Sequence, residues 1–132
     1  GAIWMNWTDF SQKDGQSRGV LEGDLYFHAR RLARMGLEPN TPIVVIGKGI
    51  QGAGEEGRLA WTFKVMGFRN VQTASYEIFQ TKTQRSESPA LISKVIWKPK
   101  INEDLFISDS ELRKILKTKR SSTSEPFVID VR

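Results

Sequence analysis

The chain has 132 residues, 39% of them hydrophobic and 27% charged, and its 20 Lys and Arg against 15 Asp and Glu give a net charge of +5. That length fits one domain with a sizeable core, and no apolar run approaches the roughly 20 residues of a membrane span, so no membrane partner is expected. With no cysteine and a single histidine, His28, disulfides, thiolate metal sites and thiol nucleophiles are excluded, and no metal site is expected.

The opening "GAIWMNW" carries neither a leader pattern nor an initiator Met, so a trimmed chain or a fragment is expected. Localisation is not readable, and a cytoplasmic one is left open. Residues 2–7 read as a short strand, followed by the polar loop "TDFSQKDGQSRG". Leu25, Ala29, Leu32 and Met35 then keep helical spacing, with Asp24 as N-cap, Gly36 as stop and Pro39 just beyond. His28 lies within that helix beside Phe27 and reads as a packing or surface residue rather than a ligand. "PIVVI" at 42–46 is continuously apolar and β-branched, the pattern of a parallel strand buried on both faces. Leu59, Phe63 and Met66 line a second helix ended by Gly67, and "NVQTAS" follows as a strand.

The first 80 residues therefore read β-α-β-α-β, an α/β unit with an open parallel sheet and helices on both faces. Residues 81–106 form a connector, polar at first and then extended, with Pro99 arguing against a central strand and Trp97 packing it onto the domain. Trp4, Trp7 and Trp61 are expected in the core or at its edge. In residues 107–132, "SDSE" is a capping box before Leu112, Ile115 and Leu116, and "FVIDVR" is one more buried-type strand. The cations Lys114, Lys117, Lys119 and Arg120 load that helix's C-terminal half, where they suit the dipole. Positive charge elsewhere is scattered and no aromatic-interleaved basic motif appears, so no nucleic-acid partner is expected.

The glycine-rich turn after "PIVVI" invites a nucleotide reading, because Gly47, Gly49 and Gly52 spell GxGxxG between a strand and a helix. Against it stand Glu55 and Glu56, which fall at the helix start and would repel a phosphate there. The ribose-binding acid would also have to be Glu77, later than usual. A Walker loop is excluded because no Gly-Lys-Ser/Thr follows the turn; Lys48 sits at its start. No cofactor is expected.

The segment "LARMGLEPNTPIVVIGKG…GRLAWTFKVMGFRNVQ" resembles the catalytic-half region of a rhodanese, a thiosulfate sulfurtransferase domain. The opening "GAIWMNW" is similar to the segment after that family's His-Ile-Pro, and "ISDSELRKIL…FVIDVR" is similar to the start of a rhodanese domain, whose first core strand ends Asp-x-Arg. The resemblance covers nearly the whole chain except the connector at 81–100. In active members the strand ends in a Cys whose thiolate carries a sulfane sulfur as a persulfide, held by loop N–H groups and an Arg.

On this resemblance Gly47 takes the position of that Cys, and Gly47, Lys48, Gly49, Ile50, Gln51 and Gly52 form the active-site-loop equivalent. The family's loop Arg falls near Gly52, and Glu55 and Glu56 replace neutral or basic residues. Asp130 and Arg132 match the Asp-x-Arg, whose implied role is structural, fixing a strand end near the loop. What the resemblance implies is a rhodanese-like domain with no catalytic residue, the structural or regulatory part of a tandem sulfurtransferase. Its partner would be a second rhodanese domain or another copy of itself. Two arrangements remain open: the end of a first domain, a linker and the opening of a second, or one domain in permuted order. From other classes, a stand-alone interaction module and a nucleotide-binding domain remain as alternatives.

Overall fold

A computed structural model describes residues 2–79 and 95–117. Helix α1 spans Leu25–Arg34, strand β1 Ile43–Gly47, helix α2 Glu55–Val65, strand β2 Val71–Ser75 and helix α3 Asp109–Lys117, with short 3-10 turns between them. β1 and β2 pair in parallel from Ile43 opposite Val71 to Gly47 opposite Ser75. A parallel pair needs a crossover, which α2 supplies. The described residues are thus mixed α/β, with three helices and a two-stranded parallel sheet.

Both longer helices start and stop where their sequences direct. The Asp24 side chain accepts a bond from the Phe27 N–H, leaving α1 capped at its N-terminus. At the other end Gly36 takes a φ of 79°, and the Leu37 N–H reaches back to the Leu32 carbonyl at 3.0 Å. α2 ends the same way, with Gly67 at φ 97° and the Phe68 N–H on the Phe63 carbonyl at 3.0 Å. In this terminator the residue after the glycine turns back onto the helix, so Leu37 and Phe68 are delivered to the core. Gly67 is constrained twice, since a Cβ there would lie 2.8 Å from the Lys100 carbonyl oxygen.

The core gathers Leu25, Ala29 and Leu32 of α1, Leu59, Ala60, Phe63 and Val65 of α2, and Val45 and Val71 of the strands. Trp7, Trp61 and Trp97 pack against it. Trp97 ties the connector down: its indole N–H donates to the Leu37 carbonyl at 2.9 Å, and its ring meets Phe68 edge to face at 5.3 Å. His28 is a core residue, stacked near Phe10 at 4.8 Å, with Nε2 at 2.8 Å from Glu22 Oε2.

Three expectations need correction. Residues 2–6 form no strand. Asn6 instead accepts a bond from the Thr8 N–H and caps a 3-10 turn over Trp7–Phe10 that buries Phe10. The same bend leaves Trp4 82% exposed rather than in the core. β1 is not buried on both faces either: Val45 is buried while Val44 and Ile46 are 53% and 46% exposed. A strand covered on one face alternates in this way. None of the residues of α3 is buried. The capping box itself is formed, with the Ser108 N–H on Glu111 Oε2 at 2.9 Å and the Glu111 N–H on Ser108 Oγ at 3.3 Å. Lys119, Arg120 and the "FVIDVR" strand lie outside the described residues. Among the described residues no helix is long and apolar enough to cross a membrane.

Candidate functional site

The glycine loop sits at the C-terminal end of both strands, where open parallel sheets place their sites. β1 stops at Gly47, and Lys48 takes a helical conformation before a 3-10 turn over Gly49–Gln51. Gly49 has φ 59°, and a Cβ on it would lie 3.0 Å from that of Ser75 at the end of β2. Glycine therefore lets the loop lie flat against the neighbouring strand. Across the mouth, Gln51 Nε2 donates to Glu77 Oε1 at 2.9 Å and ties the turn to the segment after β2. Lys48, Ile50 and Gln51 are exposed, whereas Gly47, Gly49 and Gly52 are half-buried. All six residues of the loop equivalent are thus gathered in one place.

Three amides of the turn are already engaged. The Gln51 N–H donates to the Lys48 carbonyl, the Gly52 N–H to Gly49, and the Ala53 N–H to Glu55 Oε2 at 3.0 Å. A phosphate cradle needs such donors free and convergent. Here the carboxylate of the first helical residue fills that role from inside. This geometry disfavours the dinucleotide reading independently of the charge argument.

Glu56 makes the second contribution. Its side chain turns from the start of α2 toward the end of β1, so a Cβ built on Gly47 would lie 2.7 Å from Glu56 Cδ and 2.8 Å from its Cβ. Real Cβ atoms do not approach so closely. Glu56 Oε2 is buried and has no hydrogen-bond partner among the described residues. The strand end therefore presents neither a side chain nor space for one. The sequence places Glu56 near the helix start, but its reach onto Gly47 is visible only in three dimensions.

Arg58, one helical turn into α2, has no place in the expected site. Its guanidinium carbon lies 4.5 Å from the Trp61 ring centroid and 6.0 Å from that of Trp7, and its Nη2 donates to the Gly19 carbonyl at 2.6 Å. Burial pushes its pKa below the ordinary arginine value. The Arg-x-x-Trp spacing within "GRLAW" is the sequence signal for this stacking, since residues three apart share a helix face. Asp130 and Arg132 lie outside the described residues, so their relation to the loop is not described. Among the described residues no three His, Asp or Glu side chains gather as a metal set.

Compared with family models, with curated proteins and with solved structures, the chain finds no match.

Proposed function

We propose that the chain is a rhodanese-like, catalytically silent domain, the structural or regulatory part of a thiosulfate sulfurtransferase. The finer fold that goes with this reading is an open parallel sheet with helices on both faces. Its sheet would be completed beyond the β1–β2 pair by strands that the described residues do not include. The observation that carries the reading is Gly47. It ends β1 at the position where the resemblance puts a sulfur-carrying Cys, and Glu56 occupies the space that any side chain there would take.

A persulfide needs a thiolate, and an anionic sulfur needs donors around it. This chain has no cysteine at all, and the amides of Gln51, Gly52 and Ala53 are spent on Lys48, Gly49 and Glu55. The loop keeps an active-site outline without the groups that do the chemistry. Its rim is nevertheless apolar: Ile50, Tyr76, Ile78 and Phe79 are exposed around the mouth. Exposed apolar groups clustered at one end of a domain mark an interaction surface. A second rhodanese domain, or another copy of this chain, is the partner this reading assigns to it.

Two measurements test the proposal. The purified chain is expected to transfer no sulfur from thiosulfate to cyanide above a buffer blank, and turnover by contaminant-free protein would overturn it. An active, cysteine-bearing rhodanese domain is expected to bind the chain less tightly when Ile50 and Ile78 are both changed to Ser. Unchanged affinity would remove the rim from the interface.

A further inference from the structure

Away from the glycine loop, on the flank of α2, a groove of about 770 Å³ opens between the segment at residues 18–25, α2 and the returning connector. Its walls include Leu21, Leu25, Trp61, Val65, Ile101 and Phe106. The connector is held against α2 by two bonds: the Trp61 indole N–H donates to the Leu105 carbonyl at 2.8 Å, and the Asn102 N–H donates to the Val65 carbonyl at 2.9 Å. Phe106 and Ile107 remain exposed along the lip.

One cation is fixed in this apolar surround. The Arg58 guanidinium stands between two other wall groups, the Trp61 ring and the Gly19 carbonyl. Among the described residues one of its five N–H donors is engaged, at Gly19, and no carboxylate lies within ion-pair distance. The nearby wall carboxylate, Glu22, is turned onto His28 at 2.8 Å. Arg18 adds a second positive charge to the wall. A partly desolvated guanidinium without an anion is an unfavourable arrangement that a carboxylate relieves through paired N–H···O bonds. The size suits a small organic ligand, and the mix of apolar walls with a single fixed polar anchor is the usual form of such sites.

We propose that this groove binds an amphiphilic carboxylate of the fatty-acid class, its head group on Arg58 and its alkyl chain along Trp61, Ile101 and Phe106. The proposal is independent of the sulfurtransferase reading, because it uses none of the loop residues.

The test is calorimetric titration of the full chain with sodium decanoate and, separately, with decylammonium, followed in parallel through the assigned Trp61 indole N–H resonance. Decanoate is expected to saturate one site and to shift that resonance, and decylammonium to bind at least about tenfold more weakly. Arg58→Gln is expected to weaken decanoate by at least about tenfold, the size of a charge-assisted hydrogen bond. Because Arg58 also stacks on Trp61, that variant could fail to fold. Ile107→Glu is a second probe, placing a carboxylate on the exposed lip, and it is expected to weaken decanoate with the melting temperature unchanged. Equal binding of the two head groups, unaltered binding by both variants, or no saturation would each overturn the proposal.

Discussion

Glu56 and Gly47 occupy one volume between them: a Cβ at Gly47 would come 2.8 Å from that of Glu56. The absence of a side chain at the end of β1 and the placement of α2's second residue are therefore one structural fact. Gly47→Cys is expected to destabilise the chain by about 1–3 kcal/mol, the range of overpacking changes. Glu56→Ala should be nearly neutral or stabilising, since it removes a buried carboxylate oxygen that has no partner among the described residues. The two changes together should restore only the part of the Gly47→Cys loss due to the Glu56 carboxyl, whose Cδ would lie 2.7 Å away, because alanine keeps the Cβ at 2.8 Å. Urea melts of the four proteins check this, and additive effects would show that the two positions do not compete for space.

An electrostatic expectation from the sequence is refined by the same geometry. Glu55 and Glu56 read alike as negative charge at a helix start, but their roles differ. Glu55 caps the Ala53 N–H, and Glu56 fills the strand end. A thiol introduced at Gly47 should therefore react slowly with a thiol reagent in the single variant, and faster once Glu56 is Ala. Equal rates would mean that access is not what Glu56 controls.

α1, α2, β1 and β2 were legible because each carries its own local instructions. Asp24, Gly36 and Gly67 mark helix ends, and "IVVI" and "VQTAS" are bounded on both sides by turn residues. The N-terminal segment misled for a physical reason. "AIWMNW" has strand composition, but a strand exists only with a partner, and the Asn6 cap offers residues 7–10 a local alternative. Phe10 illustrates the converse: one apolar residue in a polar loop has no period to announce it, yet it is among the most buried side chains. In the site, the glycine spacing was readable, whereas Arg58's stacking and Glu56's reach depend on which elements pack together.

Trp97 shows how much the connector contributes to the domain. It comes from outside the α/β unit, yet its N–H satisfies the Leu37 carbonyl at the end of α1 and its ring covers Phe68 after α2. Trp97→Phe keeps most of the packing and leaves that carbonyl without its donor, so a loss of about 1–2 kcal/mol is expected. Trp97→Ala should cost about 3 kcal/mol, at the low end for removing a large aromatic because the residue is only half-buried. Chemical denaturation gives both values. A loss below about 0.5 kcal/mol for Trp97→Ala would show that the connector merely rests on the domain.

His28 should behave as a packing residue. It is 1% exposed between Phe10 and Phe27, and Glu22 anchors its Nε2. His28→Ala removes most of a ring from the core and is expected to cost about 2–4 kcal/mol. Glu22→Gln keeps an acceptor at the same point and should cost less than about 1 kcal/mol, since Glu22 is itself half exposed. Thermal melts at neutral pH decide between this and a role for Glu22 as an indispensable charge, for which the two losses would be comparable.

The last expectation concerns acid. Hydrogen bonds from the Ser108 hydroxyl and then the Ser108 N–H hold the Glu111 carboxyl below its ordinary value. The helical form of α3 therefore binds its proton less readily than the frayed form does. Its stabilising contribution is complete above the ordinary carboxylate value and is lost as pH falls through the depressed one. The helical Cα shifts of residues 109–117 are expected to hold steady from neutral pH downward and to decline once the Glu111 carboxyl takes up its proton. Glu111→Gln can still accept from Ser108 but does not titrate, so it should keep the helix and remove most of the decline. Ser108→Ala should lower helicity already at neutral pH, because the Glu111 N–H loses its acceptor. An acid-induced decline of unchanged size in Glu111→Gln would place the titrating group elsewhere.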